Sequence, residues 1–177
     1  MSILLGKNIS LRALEPEDLD FLFSTENDES FWEISNTQLP FSKYILKKYI
    51  ENAHQDIYEA KQYRFVICNH QNTPVGMIDL FDFNPQHRRV GIGLLITPKY
   101  QTKGYGFEAL EMIADYAFAN LNVHQVYANI TSDNIKSISL FEKCHFKKVG
   151  IKKDWVFAYS TFKDEILYQL IKNTNES

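Results

Sequence analysis

The chain has 177 residues, of which 45% are hydrophobic and 14% aromatic, enough apolar material for one domain with a sizeable core. Its formal net charge is −3 and its basic residues are spread along the chain, which argues against the basic face of a general nucleic-acid binder. The distant cysteines Cys68 and Cys144 fit no zinc or disulfide framework, and no stretch approaches the roughly 20 apolar residues of a membrane span. A cytoplasmic protein with no metal and no membrane partner is expected.

Ile9 to Leu14 alternates like a half-buried strand. Glu15-Pro16-Glu17-Asp18 then reads as a helix start, with a proline and acids in the first turn. Residues 24–40 carry no clear period and read as a loop or a short irregular helix. Ser42 suits the cap of a helix reaching about Tyr58. Tyr63–Asn69, Val75–Phe83 and Arg88–Ile96 are strand-like runs separated by short polar turns, which predicts an antiparallel meander. Apolar residues at 107, 110, 113, 114, 117, 118 and 121 make a helical stripe. Val123–Ile130 is the next strand, placed parallel to Arg88–Ile96 by the helical crossover. A helix from Asp133 or Asn134 to about Cys144 follows, then a closing hairpin of His145–Tyr159 and Glu165–Ile171.

These elements describe one α+β domain over residues 1–172, a mixed, mostly antiparallel sheet of about seven strands flanked by about four helices. Residues 173–177 read as a frayed tail.

The segment Gln101-Thr102-Lys103-Gly104-Tyr105-Gly106 stands between a strand and a helix. Glycines let backbone approach a ligand, and the N–H groups at a helix start attract anions. The segment lacks the Gly-Lys-Ser/Thr ending of a P-loop and the third glycine of a dinucleotide site. Together with Asn134 to Phe146, which reads Asn-x-x-Ser-x-x-x-Phe-Glu-Lys-x-His-Phe, it resembles the two signatures of the GNAT N-acetyltransferases. Over roughly residues 7–171 the order of elements is also that family's, and the segment from His87 to Tyr105 looks most like its spermidine and ribosomal-protein acetyltransferases.

The resemblance implies acetyl-CoA as co-substrate and splayed strands at 88–96 and 123–130. Leu94, Leu95 and Ile96 would carry the pantetheine arm through backbone contacts, since an unpaired strand edge offers N–H and C=O partners to an amide-rich arm. Gln101, Thr102, Lys103, Gly104, Tyr105, Gly106 and Phe107 would hold the pyrophosphate, with Lys103 either adding charge or simply solvated. Asn134 matches the position that bonds the arm, and it also suits a helix cap. Catalysis would be direct attack of an amine on the thioester. An alkyl ammonium titrates near roughly 10.4, so it must first lose a proton. A backbone N–H around Leu94 would polarise the carbonyl.

Two positions depart from the pattern. Many relatives carry a tyrosine acid where Phe141 stands and a glutamate base where Gly91 stands, and neither residue here transfers a proton. Asp79 and Asp82 are the remaining catalytic candidates in the meander, and Asp82 matches a glutamate of the spermidine enzymes. Alternation places them on opposite faces unless a bulge intervenes. Tyr127 and Asn129 are further candidates.

The acceptor is expected to be a primary amine of a polyamine-like small molecule or of a protein, with Trp32, Glu33 and Asp82 near it. Lys43, Lys47 and Lys48 stand where the spermidine enzymes carry acids, although Glu26, Asp28, Glu29 and Glu33 lie just upstream. A ribosomal-protein or other N-terminal acetyltransferase and a non-catalytic acyl-CoA-binding module are the alternatives. Trp155, Phe157, Tyr159 and Phe162 suit either a homodimer face or a cover for the second helix.

Overall fold

The computed structural model describes residues 3–32 and 37–173. Its first two strands, β1 (Ile3–Leu5) and β2 (Ile9–Ala13), form an antiparallel hairpin. Three residues are too few to display an alternation, so β1 had no signature in the sequence. A 3-10 turn at Pro16–Asp18 leads into α1 (Leu19–Glu26). Asp18 secures that entry. It is buried, accepts from the Glu15 backbone N–H at 2.8 Å and takes both guanidinium arms of Arg12 at 2.7 and 2.8 Å.

Helix α2 (Lys43–Asn52) starts where expected, with Ser42 Oγ accepting from the Ile45 N–H at 3.2 Å. It stops six residues before Tyr58. Asp56 there accepts from the Tyr58 N–H at 2.7 Å and starts the separate short helix α3 (Ile57–Ala60), a local bond that competes with continued helix. The meander is β3 (Tyr63–Asn69), β4 (Pro74–Asn84) and β5 (Arg89–Ile96). Helix α4 (Tyr105–Asn120) crosses to β6 (Gln125–Thr131), which pairs parallel with β5. Then come α5 (Ile135–Lys143), β7 (Lys147–Ala158) and β8 (Thr161–Ile171).

The eight strands form one sheet in the order β1-β2-β3-β4-β5-β6-β8-β7. Strand β8 begins four residues before Glu165. Tyr159 and Ser160 both adopt positive φ (50° and 62°), the backbone of a tight two-residue hairpin turn, so pairing resumes at once. The exposed Trp155, Phe157, Tyr159 and Phe162 belong to this hairpin and do not cover α2.

Period-2 alternation divides the core in two. Ile67, Ile78, Leu80, Val90 and Ile92 face Leu110, Ile113 and Ala117 of α4. Val66, Cys68 and Met77 face the opposite way, onto Leu22 of α1 and Leu46 and Ile50 of α2. One irregularity matters for the site. Phe81 pairs with Gly91 and Asn84 with Arg89, so β4 carries one more residue than β5 across this step. The bulge centres on Asp82, at φ 48°. Leu80 and Phe83 both stay in the α4-side core, and Phe81 and Asp82 both leave it. The bulge thus brings Asp82 to the face that carries Asp79.

Candidate active site

Strands β5 and β6 pair only at Arg89–Gln125, Val90–Val126 and Gly91–Tyr127. From Ile92 to Ile96, β5 keeps β4 on one edge and, among the described residues, has no strand on the other, leaving a row of backbone groups available to a ligand. The gap widens into a cleft of about 840 Å³. Leu94, Leu95 and Ile96 form one wall, and Asn134, Ser137 and Leu140 from α5 the other. Gln101, Thr102, Gly104, Tyr105, Gly106 and Phe107 close its end. Of the residues expected to hold the donor, Lys103 alone does not line the cleft. It is exposed, with its ammonium 5.5 Å from the centre of the Tyr100 ring.

The two glycines of the loop serve different ends. Gly104 has φ 81°, and a Cβ added to it meets nothing within 4 Å, so the backbone conformation is what requires glycine. Gly106 needs the space, since a Cβ would meet Leu140 Cδ2 at 3.3 Å and Leu94 Cδ2 at 3.4 Å. Thr102 is also left-handed, at φ 64°. Gly104 brings no capping side chain to α4, and the first intrahelical bond is Glu108 N–H to Gly104 O at 3.1 Å. The N–H groups of Tyr105, Gly106 and Phe107 precede it at the cleft's end, where the helix dipole favours an anion.

Side chains hold this geometry. Gln101 Nε2 donates to the Ile96 carbonyl at 3.0 Å, and Lys136 Nζ lies 3.4 Å from Gln101 Oε1. Asn134 Oδ1 accepts from the Ser137 N–H at 3.2 Å, so it caps α5 while lining the cleft. Lys136 and Lys143 also line it, two cations that the sequence reading passed over. Burial pushes the Cys144 thiol up to about 12, and it therefore stays protonated.

The other side of the sheet has a different character. Arg64 of β3 donates from Nε and an η-nitrogen to the two oxygens of Asp79, both at 2.7 Å, and pairs with Glu26 of α1. Burial opposes the guanidinium charge, but Asp79 and Glu26 outweigh it and hold the arginine firmly protonated. Trp32 Nε1 donates to the Glu26 carbonyl at 2.9 Å, which brings Trp32 to this network, while its neighbour Phe31 lines the cleft. Glu33 lies outside the described residues. Arg64 was absent from the sequence reading, because a lone arginine in a strand gives no sign of its partners.

With both Asp79 oxygens engaged, Asp82 is the exposed carboxylate of the meander. Its charge acts on Tyr127 of β6, whose phenol it helps to hold above the ordinary tyrosine range after burial. The Tyr127 ring meets Phe81 edge-on, with centroids 5.8 Å apart and an interplanar angle of 80°. A Cβ at Gly91 would run into the Phe81 ring, so the place where relatives carry a glutamate is filled by an aromatic side chain. Phe141 is buried and stacks edge-on against Phe146 at 5.0 Å. Among the described residues, no group of three His, Cys, Asp or Glu side chains is placed to hold a metal, and no helix is long and apolar enough to cross a membrane.

The family profile of the acetyltransferase (GNAT) domain matches residues 8–147. The chain belongs to the GNAT acetyltransferase family. It is 28% identical over 163 residues to the spermidine N(1)-acetyltransferase of Vibrio cholerae, spanning 90% of this chain and 91% of that one. It is 29% identical to the Escherichia coli (strain K12) enzyme of the same name, over 90% of this chain and 83% of that one. A crystal structure of Vibrio cholerae spermidine N-acetyltransferase in complex with CoA and spermine superposes with a TM-score of 0.86, at 25% identity, covering 94% of this chain and 96% of that one.

The protein is thus an acyl-CoA-dependent N-acetyltransferase with acetyl-CoA as its co-substrate. The GNAT cleft suits that group: a free strand edge for an amide-rich arm, an apolar wall, and open helix N–H groups for a pyrophosphate.

Proposed function

We propose that this GNAT enzyme moves the acetyl group of acetyl-CoA to a primary amine of a small polyamine-like molecule. The observation that carries this reading is the split between β5 and β6, with a donor cleft beyond Gly91–Tyr127 and an acid-bearing face beside it. The donor's arm lies along Leu94, Leu95 and Ile96, its pyrophosphate rests at residues 101–107, and its thioester end reaches toward the paired end of the strands. The acceptor enters from the α1–α2 side, where Asp82, Phe81 and Trp32 offer a carboxylate and aromatic faces to a cation.

Two further observations support a small cationic amine. The curated relatives that cover most of the chain include spermidine acetyltransferases, and one related structure contains spermine. Lys43, which stands where a polyamine would meet repulsion, is turned onto Asp20 at 2.6 Å. Self-association is part of the same proposal: the aromatic hairpin is exposed at the end of the sheet, and a related spermidine N-acetyltransferase is dodecameric.

Thiol release from acetyl-CoA, followed with spermidine, spermine, short diamines and peptides with free N-termini, tests the reading. The expected result is turnover with the polyamines and diamines at least tenfold above that with peptides. Turnover with peptides alone would favour an N-terminal acetyltransferase, and donor binding without turnover on any acceptor would favour a non-catalytic module.

A further inference from the structure

The departures at Phe141 and Gly91 leave the reaction without its expected proton donor. Phe141 is 4% exposed and locked against Phe146, so no acceptor or thiolate meets a group there that can give a proton. The Phe81 ring takes the room at Gly91. Another group at the split between the strands must handle protons.

Tyr127 is the last residue of β6 that pairs with β5 before the two diverge. Its neighbours Val126 and Ala128 belong to the core beneath α4, so alternation sends its side chain to the opposite face. It is half-buried and held edge-on by Phe81, on the face to which the β4 bulge brings Asp82. The bulge gives Asp82 its place beside Tyr127, at the cost of a left-handed backbone at a non-glycine residue. Tyr49 of α2 shares this face but lies under the Arg64 guanidinium, 5.5 Å from its ring centre, and six other phenols are placed elsewhere. Tyr168 is buried and donates to Glu142 at 3.0 Å. Tyr58, Tyr63 and Tyr116 line a separate cavity, and Tyr100 and Tyr105 stand at the loop end of the cleft.

We propose that Tyr127, held by Phe81 with Asp82 on the same face, is the proton donor to the leaving thiolate of coenzyme A. The inference rests on the acetyltransferase reading above. The amine nitrogen attacks the thioester carbon and a C–N bond forms. As the tetrahedral intermediate collapses and the C–S bond breaks, the Tyr127 O–H proton passes to sulfur. The phenolate then takes the proton that the new amide nitrogen sheds, which restores the phenol. The extra proton of the incoming ammonium leaves to water by way of the exposed Asp82 carboxylate. Burial and the Asp82 charge raise the phenol above the ordinary tyrosine range, and Arg89 of β5 acts in the opposite direction. The group therefore keeps its proton through neutral pH, as a donor requires.

The test compares wild type, Tyr127→Phe and Asp82→Asn in steady-state thiol release with the most active amine, beside acetyl-CoA binding by calorimetry. Tyr127→Phe is expected to lower kcat by about 10²–10⁴-fold, the usual contribution of a positioned acid, with the Kd for acetyl-CoA changed less than twofold. In Asp82→Asn the loss of negative charge lowers the tyrosine pKa, so the alkaline limb of the kcat–pH profile should move to lower pH. That readout does not depend on the folding of Tyr127→Phe. A Tyr127→Phe enzyme within threefold of wild-type kcat, or an unmoved alkaline limb in Asp82→Asn, overturns the proposal alone. Absence of thiol release by the wild type with every amine overturns the acetyltransferase reading, and this inference with it.

Discussion

The two faces of the sheet are built on different principles. The α4 face is a broad apolar core, and the cleft at its edge that we assign to the donor is made chiefly of backbone: a free strand edge, two left-handed loop residues and open helix N–H groups. The α1–α2 face has a smaller core and depends on paired side chains, Arg64 with Asp79 and Glu26, and Arg12 with Asp18. Backbone recognition suits a donor that is the same in every reaction of a family. Side-chain recognition suits an acceptor that differs from one member to the next, because single substitutions can retune it.

The sharpest way to separate the faces is to remove Arg64. Arg64→Met leaves Asp79 and Glu26 partly buried without their counter-charge and should cost about 3–5 kcal/mol in urea unfolding. In the folded fraction the Kd for acetyl-CoA should stay within about threefold, less than 1 kcal/mol. Loss of donor affinity equal to the loss of stability would break the comparison. Gly106→Val makes the opposite change. It crowds Leu94 and Leu140 at the cleft, an overpacking worth about 1–3 kcal/mol, and should raise the acetyl-CoA Kd by roughly tenfold to a hundredfold without raising the KM for the amine.

Asn134→Ala removes a helix cap and a cleft polar group together, with an expected stability loss of about 1 kcal/mol. Calorimetry on the same variant shows whether donor affinity falls as well, which would assign the residue both roles. The smallest effect is on acid stability. Burial raises the Asp18 carboxyl, but its bonds from Arg12 and the Glu15 N–H prevail and leave it below the usual range. Its contribution is full above the unfolded value near about 3.9 and is lost as pH falls through the folded one. Asp18→Asn should therefore flatten the acid limb of unfolding free energy against pH below about 4 and leave the neutral region sloped as in wild type.

The loop and cap geometry of the proposed donor side was legible in the sequence and the side-chain pairing of the proposed acceptor side was not, for the same physical reason. A glycine at φ 81° or a polar cap before an apolar stripe is a local requirement, so Gly104 and Asn134 could be read in isolation. The partners of Arg64 lie 15 and 38 residues away, and only the folded sheet brings them together. The Asp82 bulge was foreseen only as a condition on strand alternation. It depends on Leu80 and Phe83 both being drawn into one core, a tertiary choice. The break between α2 and α3 had its local sign in Asp56, but the apolar spacing of residues 44–53 masked it.

The most direct measurement is acetyl transfer itself, with thiol release from acetyl-CoA followed against spermidine for the wild type and Gly106→Val. The expected result is release that requires the amine, yields one thiol per acetylated product by mass spectrometry, and in Gly106→Val needs roughly tenfold or more acetyl-CoA to reach half-maximal rate. Release that is indifferent to the change at Gly106, or no release with any amine despite donor binding, would contradict the assignment of this cleft as the seat of the reaction.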